Sequence, residues 1–262
     1  MIRLERKFAS LEENSKKALV AYLVAGDPDI STTLELMHQF VLSGVDIIEL
    51  GVPFTDPIAE GPIIQAAHDR ALQTNTSLDM IFSLVEEFRS KDSETPVILM
   101  GYINTFLANS KALESIHERG TDAVLIVDVP GESRLEDMGI QNKNIASISL
   151  ISPTTDNNRI QKICMNSSGF IYYVTLRGVT GASNLNEDEI QTNILNIKNN
   201  TNLPVLAGFG IKTSSDARAL SQISDGVVIG SVLVEMIQEQ SGNKDYKKIY
   251  NDLNEISAAI NP

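Results

Sequence analysis

Short, continuously apolar runs alternate along the chain with longer amphipathic stretches. The apolar runs predict strands over Leu19–Ala25, Ile47–Val52, Val97–Tyr102, Ala123–Asp128, Ile145–Ile151, Phe170–Leu176, Pro204–Gly208 and Asp225–Gly230. They are short and rich in β-branched residues, as buried strands are. Between them, helical spacing of apolar positions predicts helices over Ser31–Leu42, Pro62–Gln73, Leu78–Arg89, Ser110–Arg119, Ser133–Met138, Asn157–Met165, Asp188–Lys198, Ser214–Ser221, Ser231–Gln240 and Tyr246–Ala259. An amphipathic helix over Ile2–Ser15 precedes the first strand and would cover one end of a core. Asp29 or Ser31 is placed to cap the first of the interstrand helices, and Thr76 or Ser77 the third.

Strands apolar on both faces, each followed by a helix, imply an all-parallel sheet buried on both sides. At 262 residues the closed ring is the natural solution. The expected fold is therefore α/β: a single-domain (β/α)8 TIM barrel over residues 1–262, with an extra N-terminal helix and extra helices after strands 2 and 8. An open doubly wound sheet is the alternative. The barrel is favoured because no connection reads as a hairpin. The first strand-to-helix turn, Val24-Ala25-Gly26-Asp27-Pro28, also lacks a Gly-x-Gly-x-x-Gly fingerprint.

Composition narrows the partners. Hydrophobic residues are 42 % and charged residues 21 %, ordinary for a globular chain. A formal net charge of −13 argues against nucleic acid and anionic membranes. A small phosphorylated compound stays open, because main-chain N–H groups hold phosphate without basic side chains. The single cysteine, Cys164, rules out an internal disulfide and reads as a small apolar residue of an amphipathic stretch. The N-terminus is polar, and the apolar run Ala18–Ala25 is too short to span a bilayer. A cytoplasmic protein is expected.

A barrel of this kind works at the C-terminal ends of its strands. Those ends offer Asp27; Glu49, Asp56 and Glu60; Tyr102 and Asn104; Asp128; Tyr172 and Tyr173 with Arg177-Gly178-Val179-Thr180-Gly181 beyond them; Gly208-Phe209-Gly210; and Gly230-Ser231. Glu49 interrupts an apolar strand. If it faces a cavity, Ile48 and Leu50 face the other way, and its charge must be paired, shifted in pKa or used. Gly51, Pro53, Pro57, Gly61 and Pro62 stiffen the loop that follows, which carries Asp56 and Glu60. An acid/base site and a structural ion pair beside a turn-rich loop both fit that stretch. Gly210 and Gly230-Ser231 sit where barrels commonly bind phosphate, after strands seven and eight; tight turns alone would also explain Gly208 and Gly210.

Other chemistry is less well served. His38, His68 and His117 all fall on predicted helices, where they read as surface or half-buried residues, so no histidine metal site is expected. No lysine lies within a predicted strand, which disfavours a Schiff base. A carboxylate Mg²⁺ site from Asp27, Asp56 and Asp128 remains open, although aspartates in such places usually make turns and caps. The residues alone suggest carbon–carbon cleavage or isomerisation of a small phosphorylated compound, with Glu49 as acid/base and no metal.

The stretch Glu49-Leu50-Gly51-Val52-Pro53-Phe54-Thr55-Asp56-Pro57-Ile58-Ala59-Glu60-Gly61-Pro62 resembles the signature of the tryptophan synthase α subunit family. The similarity continues in Ala25-Gly26-Asp27-Pro28, Leu99-Met100-Gly101-Tyr102, Val127-Asp128-Val129-Pro130, Tyr172-Tyr173-Val174, Gly178-Val179-Thr180-Gly181, Gly208-Phe209-Gly210-Ile211 and Gly230-Ser231. The resemblance implies a lyase of tryptophan biosynthesis that splits indole-3-glycerol phosphate into indole and glyceraldehyde 3-phosphate. It implies no cofactor in this chain, and a pyridoxal-phosphate β subunit as partner in an α–β–β–α complex. Carried over by position, Glu49 is the acid/base and Glu60 its companion carboxylate. Tyr22, Tyr102, Tyr172 and Thr180 would bind substrate, and Thr180 belongs to a lid after strand six. Gly181, Phe209, Gly210, Gly230 and Ser231 would bind phosphate, and Asp56 and Asp128 would face the partner. The family usually has aspartate at position 60, and the extra methylene of Glu60 adds about 1.5 Å of reach. A mainly regulatory subunit and a Mg²⁺-dependent barrel are the alternative functions.

Overall fold

Eight parallel strands pair in sequence order and the last returns to the first, so the sheet closes as a barrel. They are β1 (Ala18–Val24), β2 (Ile47–Gly51), β3 (Val97–Gly101), β4 (Ala123–Ile126), β5 (Ala146–Ile151), β6 (Ile171–Val174), β7 (Val205–Gly208) and β8 (Gly226–Ile229). The computed structural model describes residues 3–108, 115–140, 144–174, 187–208 and 210–262. Each predicted strand is present, with ends that differ by at most two residues; the end expected at Leu176 lies outside the described residues. The open doubly wound sheet is excluded by the pairing of β1 with β8.

Alternation along the strands sorts the side chains into two cores. Ile48, Leu50, Leu99, Val205 and Val227 belong to the outer core beneath the helices. Val20, Ile47, Ile98, Leu125, Ile148, Leu206 and Val228 fill the barrel interior. The first helix, α1 (Arg3–Glu13), plugs the N-terminal end of the ring: Leu4 is wholly buried in the interior cluster and Phe8 meets Phe170 edge to face.

The helices that matter for the site follow from local signals. Helix α2 (Ile30–Leu42) is capped by Asp29, whose carboxylate accepts the Thr32 N–H. Helix α3 (Pro62–Gln73) starts with proline at its first position, where no backbone donor is lost. Helix α4 (Leu78–Arg89) is capped by Ser77. A short helix, α5 (Ile103–Leu107), follows β3 and has no counterpart in the sequence-based expectation. The helix expected over Ser110–Arg119 falls partly outside the described residues, and residues 115–120 form turns. Only a single 3-10 turn, Glu136–Met138, forms within the helix expected over Ser133–Met138.

The N-terminal edge of the barrel uses one device four times. The Asp46 N–H donates to Leu19 O and its carboxylate accepts the Leu19 N–H, which joins β1 to β2. Asp122 does the same to Val97 and Asp225 to Val205, joining β3 to β4 and β7 to β8. Ser168 plays the part for Ser147 across β5 and β6. The Asp122 carboxylate is wholly buried and is balanced by Arg3 at 3.1 Å and Arg89 at 2.9 Å.

Removing that carboxylate leaves a largely buried guanidinium and a strand amide without a partner. Asp122→Ala is expected to cost about 3–5 kcal/mol of folding stability. A urea midpoint within a few tenths molar of the parent would contradict this.

Candidate active site

The loop after β2 is held from two sides. From α3, the Gln65 amide donates to Glu60 O at 2.8 Å, and His68 Nδ1 accepts the Phe54 N–H at 3.0 Å. From β3, Tyr102 stacks on Phe54 with ring centroids 4.8 Å apart, and its hydroxyl accepts the Ala59 N–H at 3.0 Å. Helix α3 is itself fixed to the loop after β1 by two 2.7 Å bonds from Arg70 to Asp27, a residue that is 3 % exposed. Asp27 is thereby committed to a structural ion pair.

Glu49 points into the barrel. Its neighbours Ile48 and Leu50 lie in the outer core, as alternation requires, and Ile47 lies in the interior. The residue is 1 % exposed, and its Oε1 has no hydrogen-bond partner among the described residues. Burial without compensation favours the neutral acid and pushes the Glu49 pKa up to about 8. Glu49 lines a cavity of about 130 Å³ at the C-terminal mouth, together with Tyr22, Glu60, Tyr172, Gly210, Gly230 and Ser231. Apolar residues such as Met100, Leu150 and Ile64 complete its wall.

Glu60 sits on the rim of the same cavity, 9 % exposed. The Tyr102 hydroxyl, already accepting from Ala59, donates its proton to Glu60 Oε2. Burial raises the Glu60 pKa; the bond from Tyr102 opposes the rise, and the nearby charge of Asp128 adds to it. Tyr22 and Tyr172 each lean across to the neighbouring strand, over Gly51 and Gly208 respectively, and a Cβ at either glycine would collide with the hydroxyl. The glycine of β7 therefore makes room for a tyrosine, a use that reading it as a turn residue overlooks. Burial, followed by the charge on Glu49, raises the Tyr172 pKa.

Beyond β7 and β8, Gly210 adopts φ +78°, and helix α9 (Ser231–Gln240; α6, α7 and α8 are Asn157–Asn166, Glu187–Lys198 and Ser214–Ile223) opens at Gly230. The Leu233 and Val234 N–H groups both donate to Gly230 O. The Ser231 and Val232 amides ahead of them form the positive end of the helix dipole.

Of the sequence-based candidates, Tyr22, Glu49, Glu60, Tyr172, Gly210, Gly230 and Ser231 share one cavity. Tyr102 reaches it through Glu60. Asp56 and Asp128 lie outside the cavity on exposed loops, where Asp128 accepts the Ile103 N–H at the start of α5. Thr180, Gly181 and Phe209 lie outside the described residues. Among the described residues no group of three acidic, histidine or cysteine side chains is arranged to hold a metal ion, so Asp27, Asp56 and Asp128 do not assemble into one. Cys164 is buried on α6, and burial raises its pKa.

His68 departs from its expected place. It is 1 % exposed on α3 and its Nε2 lies 3.4 Å from the Tyr22 hydroxyl. Its neighbours at 64 and 71 are apolar, and that spacing was the available sign that position 68 faces inward. Among the described residues no helix is long and apolar enough to cross a membrane.

The fold is a (β/α)8 TIM barrel whose mouth holds a buried glutamate, with no partner for its Oε1 among the described residues, and a second carboxylate on the rim. A family model described as tryptophan synthase alpha chain matches residues 8–261. The chain belongs to that family, the cofactor-free lyases of tryptophan biosynthesis. It is 40 % identical over 263 aligned residues to the tryptophan synthase alpha chain of Acinetobacter baumannii, covering 99 % of this chain and 98 % of the relative. It is 44 % identical to that of Nitrosococcus oceani, covering 91 % and 89 %. The crystal structure of tryptophan synthase subunit alpha from Legionella pneumophila superposes with a TM-score of 0.90 at 37 % identity, covering 99 % and 98 %. A chain of M. tuberculosis tryptophan synthase in its aminoacrylate-bound form superposes at 0.84 with 25 % identity, covering 99 % and 100 %.

The raised pKa of Glu49 has a consequence for folding. The native carboxyl holds its proton up to about pH 8, while an unfolded glutamate loses it near 4.5. The native state therefore binds more protons between these values, and its stability falls as pH rises through them. Glu49→Gln is expected to flatten that fall, so the variant gains stability relative to the parent at pH 8. Denaturant midpoints of both proteins at pH 5 and pH 8 measure it, and parallel profiles would contradict it.

Proposed function

We propose that this chain cleaves indole-3-glycerol phosphate to indole and glyceraldehyde 3-phosphate, with Glu49 as the acid/base. The observation that carries this reading is the buried, unpartnered Glu49 carboxyl in one cavity with the open end of α9. A pKa near 8 keeps a proton available at neutral pH. That proton goes to indole C3. The ring nitrogen then carries positive charge, and the Glu60 carboxylate stabilises it. The bond from C3 to the side chain breaks and its electrons return to the ring. The adjoining hydroxyl becomes the aldehyde, and its proton passes to the Glu49 carboxylate, which restores the acid.

Glu60 keeps this role in spite of its extra methylene because Tyr102 holds its carboxylate against the cavity wall. The phosphate binds main-chain amides at Gly210, Gly230 and Ser231, joined by Gly181 and Phe209, and Thr180 belongs to the lid over them. Tyr22 and Tyr172 line the space between. Ile58 is 83 % exposed between Asp56 and Glu60 on the loop after β2, and an apolar side chain so displayed supports a partner surface there. That surface, with Asp56 and Asp128, takes the pyridoxal-phosphate β subunit in a cytoplasmic α–β–β–α assembly.

Glu49→Gln is expected to abolish indole release while phosphate-ligand binding stays near the parent value; turnover at the parent rate would remove Glu49 from the mechanism. Glu60→Ala is expected to lower kcat by about two orders of magnitude, the usual cost of one preorganised electrostatic stabiliser. Steady-state indole production measures both, and an unchanged rate in the second variant would reduce Glu60 to a loop residue.

A further inference from the structure

We propose that His68 is a positioning residue that turns the Tyr22 hydroxyl into a hydrogen-bond donor for the hydroxyl-bearing three-carbon chain of the substrate. The inference rests on the reading given under Proposed function and adds to it a residue and a direction.

The Phe54 N–H points at His68 Nδ1 from 3.0 Å, so Nδ1 must be the unprotonated nitrogen. A neutral imidazole then carries its proton on Nε2. Burial keeps the ring neutral, with a pKa lowered to about 4. Nε2 faces the Tyr22 hydroxyl at 3.4 Å and donates to it. The hydroxyl oxygen accepts that proton, and its own proton has to point elsewhere. The Tyr22 hydroxyl makes no other hydrogen bond among the described residues, and the space on its remaining side is the cavity.

Tyr22 lies where such a donor is useful. Its Cβ is close to Gly230, at the end assigned to phosphate, and its hydroxyl lies over Gly51, one inward position beyond Glu49. Tyr22 and Glu49 are register partners on paired strands. The side chain thus runs from the phosphate end to the acid/base end, the path a three-carbon chain takes between phosphate and the scissile bond. Gly51 is part of the arrangement, because a Cβ there would take the place of the hydroxyl. A phenylalanine at 22 would fill the same space and donate nothing.

Two substitutions at His68 separate its bonds. His68→Asn keeps an acceptor for the Phe54 amide and loses the donor to Tyr22; His68→Gln keeps a donor at the Nε2 position. The probe is glycerol 3-phosphate binding to the full-length chain by calorimetry, with inorganic phosphate as a ligand that has no hydroxyl chain. Tyr22→Phe and His68→Asn are each expected to weaken glycerol 3-phosphate about three- to tenfold, the worth of one neutral hydrogen bond. Inorganic phosphate should be unaffected, the double variant should be no worse than Tyr22→Phe, and His68→Gln should recover affinity. Ring-nitrogen NMR of the parent protein should show His68 protonated on Nε2 alone at pH 7. Additive losses, equal losses for both ligands, parent affinity in both single variants, no preference of the parent for glycerol 3-phosphate over phosphate, or an Nδ1–H tautomer would each overturn the proposal. Failure of the parent to bind either ligand would instead remove the phosphate site on which the proposed function rests.

Discussion

A carboxyl group buried inside a ring of strands, with no hydrogen-bond partner for its Oε1 among the described residues, is the constraint on which the remaining features depend. Glu49 occupies an interior position that Ile47 and Ile98 show to be otherwise apolar. A charge there is unfavourable, so the group stays protonated at neutral pH unless a reaction takes the proton away. That is the condition a general acid must meet. An ion-pair partner for Glu49 would have made the barrel more comfortable and the acid useless. The fold tolerates the group because the rest of the ring is tightly closed, with the same side-chain clamp at the N-terminal edge of four strand pairs.

Rigidity at one end and openness at the other are consistent with the placement of charge. The N-terminal edge carries its carboxylates in pairs with basic residues: Asp46 with Lys7, Asp122 with Arg3 and Arg89, Asp225 with Lys198. The C-terminal mouth has Arg70 bound to Asp27 but, among the described residues, no such partner for Glu49. Carboxylates of the same chemistry are neutralised structurally below and left to act above. The Mg²⁺-dependent alternative loses its footing here, since Asp27 is taken by Arg70 and Asp128 by the Ile103 amide.

The ring itself was legible because each strand is apolar on both faces, and a parallel sheet buried on both sides reads as continuous runs. Alternation placed Glu49 on the face opposite Ile48 and Leu50, but a strand apolar on both faces does not say which face is the interior. His68 was not legible, because its environment is made by residues far apart in sequence: Tyr22 on β1 and Phe54 beyond β2. A histidine on a helix next to charged Asp69 looks like a surface residue until the loop folds over it. Helix α5 was hidden for a similar reason. Its first amide is satisfied by Asp128, a residue beyond the next strand, and no local cap announces it. The substitution at position 60 was visible, but its compensation was not, because the hydroxyl that receives Glu60 belongs to β3's end.

The hydroxyl groups of Tyr22 and Tyr102 are directed by the same loop. The Ala59 amide donates to Tyr102, so the Tyr102 proton must go to Glu60. The Phe54 amide donates to His68, so the imidazole proton must go to Tyr22 and the Tyr22 proton must turn to the cavity. In both cases a backbone N–H, which cannot reverse its role, sets the direction of a side-chain proton that otherwise could rotate. The stiff turn residues of the loop, Pro53, Pro57, Gly61 and Pro62, therefore do more than bring two carboxylates together. They fix the amides, and the amides fix which groups give protons and which receive them. A movement of this loop on meeting a partner would reach both hydroxyls at once, through two amides five residues apart.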